Sequence, residues 1–344
     1  MSDTSYAVSA KARAKYGKFL TDRDYTNILA CQSVPEVMVY LKSHTRYASV
    51  LKDVSERDVH RGRLEILLRQ YQFNEIDSLC RYDSGISAGF SRYVVERTEV
   101  EQLVRYLILL NSHATEKFIF QYPAYLSKHT DLDINLIANA QNYEEFLAAL
   151  VKTQYYDILT AFHPDEKGRL PISEIENRLY TFIYQHMHEL ILKRTKGNER
   201  QELMDIFRKL NDYSIVSRII RMKRSFHLPP EVIRSNMTLE YGSLSPKLVG
   251  KMCDAETVEE VYAILRATKY GRYLDQAEDD KVKNIGLTVQ YKTSKRYLHF
   301  SGNPSVVMLA FIFLSETELM NVISLIEGVR YRLDPKHIES LLIR

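Results

Sequence analysis

The amino-acid sequence predicts an all-α protein made of three diverged copies of one helical unit. Three observations carry that reading. Glycine and proline number only 12 and 9 in 344 residues, where average usage would give about 24 and 17. So few turn-formers favour long helices over many short strands. A T-x-Y motif behind an apolar helical pattern occurs three times, and a long helical pattern with an acid near its middle recurs in phase with it.

The T-x-Y segments read SVPEVMVYLKSHTRYASVL (33–51), NYEEFLAALVKTQYYDIL (142–159) and TVEEVYAILRATKYGRYL (257–274). Each carries Glu before an apolar residue (Glu36-Val37, Glu145-Phe146, Glu260-Val261). Each then has Leu shortly before Thr45/Tyr47, Thr153/Tyr155 or Thr268/Tyr270, and closes with Leu51, Leu159 or Leu274 six residues past the Thr. The Thr positions are 108 and then 115 residues apart, near a third of the chain. An aromatic two residues after Thr, with Leu four later, reads as core packing near a helix end.

The long patterns centre on Glu99, Asp212 and Glu318. Apolar residues lie nine before (Phe90, Leu203, Leu309), five before (Val94, Phe207, Phe313), four after (Leu103, Val216, Val322) and eight after (Leu107, Ile220, Ile326). These steps fit one buried helix face. Asn303-Pro304 supplies a start signal for the third, proline suiting the first helical position. Pro123, Pro230 and Pro335 then each open a short apolar-periodic stretch. The recurrence divides the chain into helical modules 1–117, 118–226 and 227–344. One segment, LTVQYKT (287–293), alternates as a strand does, but helix or loop is favoured there.

A carboxylate on an apolar stripe needs a partner or water. Arg105 and Arg218 lie six residues past the first two acids, off the same face. Two readings stay open: ion pairs to neighbouring helices, or three acids converging on a pseudo-threefold axis to meet a basic partner inserted along it. Glu99, Asp212 and Glu318 are therefore the candidate partner-binding residues.

Composition bounds the rest. Hydrophobic residues at 45% and charged residues at 26% exclude global disorder. A net charge of +3 is too small to name a polyanionic partner. The basic clusters Lys11, Arg13, Lys15, Lys18 and Arg218, Arg221, Lys223, Arg224 read as solvated helix faces, with a docking surface as the second reading. Cys31, Cys80 and Cys253 are scattered, which indicates neither a disulfide framework nor a zinc site, and a reducing compartment is the default. The N-terminus lacks the apolar run of a secretory signal. Val306–Leu314 is the most apolar run, and nine residues fall short of the roughly 20 that cross a bilayer. No P-loop, GxGxxG, HExxH, GxSxG or calcium loop occurs. His186 and His188 sit two apart, on different sides of a helix. No catalytic, metal or cofactor-binding residue is expected.

YAVSAKARAKYGKFL…DYTNILACQSVPEVMVYLKSHTRYASVL resembles the start of the C subunit of the bacterial and archaeal V-type (A-type) ATPases, the family that includes the d subunit of the eukaryotic vacuolar ATPase. LNDYSIVSRIIRMKRSFHLPPEVI and LSETELMNVISLIEGVRYRLDPKHIESLL resemble its later blocks. The resemblance spans essentially the whole chain. It implies three similar helical modules arranged with pseudo-threefold symmetry into a funnel, seated peripherally on the cytoplasmic face of the membrane proteolipid ring. The cavity would receive the foot of the central stalk, formed by the D and F subunits, and the chain would rotate with both. It would bind no nucleotide and carry no ions. Scarce glycine suits such a rigid coupler. The alternative is an α-helical repeat scaffold outside any rotary motor, stacked as an open solenoid; contact between first and third modules separates the two. A nucleic-acid binder lacks any recognition signature, and a helical enzyme lacks a locatable site.

Overall fold

Residues 3–57, 59–82, 86–118, 124–237, 239–271 and 285–344 are described in the computed structural model, and every regular element among them is helical. Helix α1 (Asp3–Tyr16) leads into a first unit of α2 (Asp22–Leu29), α3 (Val34–His44), α4 (Ala48–Leu51), α5 (Arg61–Cys80) and α6 (Ser87–Asn111). The second unit repeats the order with α7 (Ile134–Asn139), α8 (Tyr143–Leu150), α9 (Tyr156–Leu159), α10 (Ile172–Arg194) and α11 (Gly197–Phe226). After α12 (Pro230–Ser235) come α13 (Pro246–Asp254), α14 (Val258–Arg266), α15 (Ile285–Phe300) and α16 (Pro304–Arg330), and α17 (Pro335–Leu341) ends the chain. LTVQYKT lies inside α15, so its alternation is overridden by packing, whereas Pro123 and Leu274 fall outside the described residues.

The repeated sequence signals are local backbone devices. Ser33, Asn142 and Thr257 cap α3, α8 and α14 by accepting the N–H of Glu36, Glu145 and Glu260 at 3.4, 2.9 and 3.2 Å. The same three Glu carboxylates reach back to the N–H of Gln32, Gln141 and Glu256 at 2.9, 2.8 and 2.8 Å. Reciprocal capping of this kind satisfies donors that a helix start leaves orphaned. At the far ends, the hydroxyls of Thr45, Thr153 and Thr268 donate to the carbonyls of Leu41, Leu150 and Leu265 at 2.6, 2.8 and 2.7 Å. They accept the N–H of Tyr47, Tyr155 and Tyr270 at 3.3, 3.3 and 3.1 Å. The Thr thus stops the helix and turns the next-but-one side chain inward.

The long helices stop alike. His113, His227 and Arg332 adopt left-handed backbone with φ of 53°, 49° and 52°, 14 or 15 residues past Glu99, Asp212 and Glu318. The N–H groups of Ala114, Leu228 and Leu333 fold back to the carbonyls of Leu109, Met222 and Gly328, as in helix-ending turns. Helices α12 and α17 follow, each with proline at its start. Gly328 lets α17 pack closely: a Cβ there would lie 2.5 Å from the Ile338 side chain.

Heads and long helices pair out of phase with the chain. The head α7–α9 packs on α6, joining Phe146, Leu150 and Leu159 to Val100, Leu103 and Leu107 in one core. The head α13–α14 packs on α11 through Met252, Val261 and Ile219. The first head, α2–α4, has no helix before it except α1. It packs instead on α16, where Val37, Leu41 and Leu51 share a core with Val322, Leu325 and Ile326. Helix α16 is the centre of the molecule. It is long and apolar enough to cross a membrane, yet its most apolar stretch is 83% buried inside the protein, and Val306–Leu314 is wholly core.

The basic cluster on α1 is not a solvated face throughout. Arg13 donates to the carbonyls of Leu298 and Ser301, both at 2.7 Å, and Lys15 pairs with Glu75 at 2.6 Å. In the second cluster Lys223 donates to the carbonyls of Cys253 and Ala255. Arg13 and Lys223 thus hold carbonyls at helix ends, whereas Lys15 pairs with a side chain in the middle of α5.

Candidate partner-binding cavity

Helices α6, α11 and α16 converge where Tyr93, Phe207 and Phe313 meet pairwise. Their ring centroids are 5.6, 6.3 and 6.2 Å apart with interplanar angles of 87°, 89° and 75°. Edge-to-face pairs of this sort contribute about 0.5–1.5 kcal/mol each beyond their burial. The stripe expected five residues before each acid holds for Phe207 and Phe313. In α6 the ring belongs to Tyr93, six before Glu99, and Val94 is only partly buried.

Beyond this triad a cavity of about 660 Å³ opens, walled by residues from all three units. The wall is set by positions flanking the acids. Two residues before and two after each acid lie Arg97 and Glu101, Leu210 and Ser214, and Glu316 and Met320, and all six line the cavity. Helices α10 and α15 add Glu176, Tyr180, Tyr184 and Leu287. Arg97 on α6 and Glu316 on α16 pair at 2.5 Å, joining the first unit to the third across the wall. Arg221 pairs with Glu176 at 2.7 Å. Arg218 is 8% exposed, and burial pushes its guanidinium below the ordinary range.

The acids themselves face elsewhere. Glu99, Asp212 and Glu318 are 1%, 1% and 4% exposed, and none lines the cavity. Glu99 accepts hydrogen bonds from the Tyr155 hydroxyl at 2.5 Å and the Thr130 hydroxyl at 2.7 Å. Asp212 accepts from the Tyr270 hydroxyl, the Ser243 hydroxyl and the N–H of Ser243 and Leu244. Glu318 accepts from the Tyr47 hydroxyl at 2.9 Å and the Leu20 N–H at 2.7 Å, and pairs with Arg46 at 2.9 Å. Each acid therefore sits in its own cluster, latched to the T-x-Y tyrosine of the head packed against it. Burial, and after it the neighbouring carboxylate, holds all three phenols far above their ordinary range, so each tyrosine stays a neutral donor.

The middle residue of T-x-Y also works. Arg46 reaches Ser315 at 3.3 Å and Gln154 reaches Glu96 at 3.3 Å, each target three before an acid. Lys269 donates to Ser243 at 2.7 Å. Sequence reasoning missed these contacts and the cavity wall. The stripe two residues to either side of each acid, charged in two units of three, was the available signal.

Chemically, the described wall offers tyrosine hydroxyls, guanidinium groups and apolar side chains, with no His, Cys or Lys among them. It suits holding a protein surface. His186 meets Glu96 at 3.0 Å while His188 lies against the Tyr241 ring, so the two histidines serve different neighbours. Among the described residues no three His, Cys, Asp or Glu side chains are grouped to share a metal ion.

A family model described as ATP synthase (C/AC39) subunit matches residues 8–341. The chain belongs to that family. Among curated members of the (C/AC39) family, it is similar to the C subunit of the A-type ATP synthase of Pyrococcus abyssi, 22% identical over 344 aligned positions that cover 97% of this chain and 89% of that one. The corresponding A-type ATP synthase chain of Thermococcus kodakarensis is also 22% identical, and that of Pyrococcus horikoshii 21%, with the same coverage. The family match thus runs across all three recurrences of the helical pattern and is not confined to one of them.

Proposed function

We propose that the chain is a non-catalytic rotor subunit of a V-type (A-type) ATPase. It couples the central stalk of the soluble ATP-hydrolysing sector to the membrane proteolipid ring during proton or sodium transport. The observation that carries this reading is a cavity walled by residues of all three units, with Tyr93 of the Tyr93–Phe207–Phe313 triad in its wall. The first head packs on the last long helix, which supports a closed funnel of modules 1–117, 118–226 and 227–344 and disfavours an open solenoid.

In this reading the stalk foot, from the D and F subunits, seats in the cavity. The opposite, outer surface rests on the ring at the cytoplasmic face of the membrane. Glu99, Asp212 and Glu318 serve the partner from behind, by fixing each head against a wall helix. Removing the chain from the assembled motor leaves ATP hydrolysis running but disconnects it from ion movement. The chain also brings down a coiled-coil stalk and a proteolipid ring when purified under mild conditions. Ion transport at normal efficiency in a complex lacking the chain would sink the proposal.

A further inference from the structure

We infer that the cavity seats its occupant in one angular register only, with an acidic group of the occupant meeting Arg218. The inference rests on the reading of the cavity as a socket. Three similar wall helices would, with identical side chains, accept an occupant in three orientations a third of a turn apart. Here the three sides differ. The first unit presents Arg97 and Glu101, the second Leu210 and Ser214, and the third Glu316 and Met320. The residue six past the acid lines the cavity as Arg218 in the second unit and as Ser324 in the third, whereas Arg105 of the first is not among the lining residues.

Charge bookkeeping singles out Arg218. Of the wall arginines, Arg97 pairs with Glu316, Arg221 with Glu176 and Arg69 with Glu65. Arg218 is held by the amide oxygen of Asn177 and by the Asn236 carbonyl at 3.3 Å; among the described residues no carboxylate lies within ion-pair distance of it, and Glu176, already paired with Arg221, acts on it only from farther off. A guanidinium this buried carries a desolvation cost that neutral oxygens only partly offset. An incoming carboxylate supplies the missing charge and suits the forked donor geometry. Turned by a third, the same carboxylate would face the neutral Ser324 hydroxyl on one side, or the first unit on another, where Arg105 does not line the cavity and Glu101 does, so it would meet no cation at the equivalent position. The copies have diverged in the wall while keeping their capping and latching residues, so the side chains that could make the socket indifferent to rotation are the ones that differ.

The test uses the assembled complex. In a Cys31→Ser background, Glu101→Cys, Ser214→Cys and Met320→Cys place one thiol on each side of the wall, and one cysteine is set at a fixed position on the stalk foot. Oxidation is expected to cross-link one of the three at least tenfold more than the other two. Equal yields from all three overturn the single register while leaving the socket intact. No cross-link from any of them overturns the socket reading as well. Arg218→Gln is expected to weaken stalk binding about tenfold and to flatten its salt dependence, with Arg218→Lys retaining part of the affinity. Binding by Arg218→Gln that matches the parent in strength and salt dependence, in protein of parental thermal stability, overturns the acidic contact.

Discussion

Replacing Tyr155 with Phe removes one oxygen from the latch between the second head and α6. The hydroxyl donates to Glu99 at 2.5 Å, with both residues at 1% exposure. Hydrogen bonds to a charged group contribute roughly 1.5–3 kcal/mol. The ring stays, so no cavity of methylene size opens, and Glu99 keeps the Thr130 hydroxyl at 2.7 Å and the Arg92 guanidinium at 3.7 Å. The carboxylate is weakened without being orphaned, which puts the expected loss near ~2 kcal/mol. For a chain of this length the unfolding entropy is about 0.7 kcal/mol per degree, so a cooperative melt shifts down by about 3 °C. Urea unfolding followed by circular dichroism gives the free energy, and calorimetry gives the midpoint. Tyr47→Phe and Tyr270→Phe should fall in the same range, because Glu318 and Asp212 also keep other donors. If all three variants unfold within about 0.3 kcal/mol of the parent, below the usual contribution of even a neutral hydrogen bond, the latches do not hold the heads. The acids must then be explained another way.

Other expectations follow from the same geometry. Phe313→Ala removes one ring of the triad and should cost about 3–5 kcal/mol, read from the urea midpoint; a loss below about 1 kcal/mol means the triad's neighbours repack freely. Gly328→Ala sets a methyl 2.5 Å from Ile338 and should displace α17 at a cost of about 1–3 kcal/mol, visible as faster amide exchange in residues 335–343. Burial pushes the Asp205 carboxyl up, but Lys209 and the Tyr297 hydroxyl at 2.8 Å more than offset it, leaving it below its ordinary 3.8. Its contribution is therefore present above pH 3.8 and lost as pH falls through the lower folded value. Asp205→Asn should flatten the acid limb of stability measured between about pH 2.5 and 5, and an unchanged limb refutes the assignment.

Much of the fold was legible because the repeated residues act locally. Ser33, Asn142 and Thr257 with their Glu partners, and the Thr of each T-x-Y, make hydrogen bonds within four residues, so sequence spacing fixes their geometry. The pairing of heads with long helices was not legible. Tyr155 meets Glu99 from 56 residues away, but Tyr47 meets Glu318 from 271 residues away, and no local spacing distinguishes a head that packs backward from one that packs forward. The acids stood out as charges on apolar stripes. The same fact that made them conspicuous, their burial, is met by tyrosine hydroxyls inside the protein. Arg97, Glu316 and Arg218 went unremarked as wall residues because charges beside a stripe look like any solvated face until three helices enclose them.

Covalent continuity is unequal around the three joints. Where the second head meets α6, and the third meets α11, backbone links the two sides. Where the first head meets α16, the contact is made by side chains: Val37, Leu41 and Leu51 pack on Val322, Leu325 and Ile326, Tyr47 and Arg46 grip Glu318, and Arg344 touches Asp22 at 3.3 Å. In the proposed funnel this joint is a seam held by packing and side-chain contacts. Were the chain to close around a partner as proposed, a force spreading it would part that joint before stretching any peptide, and re-closure would need only that joint to re-form.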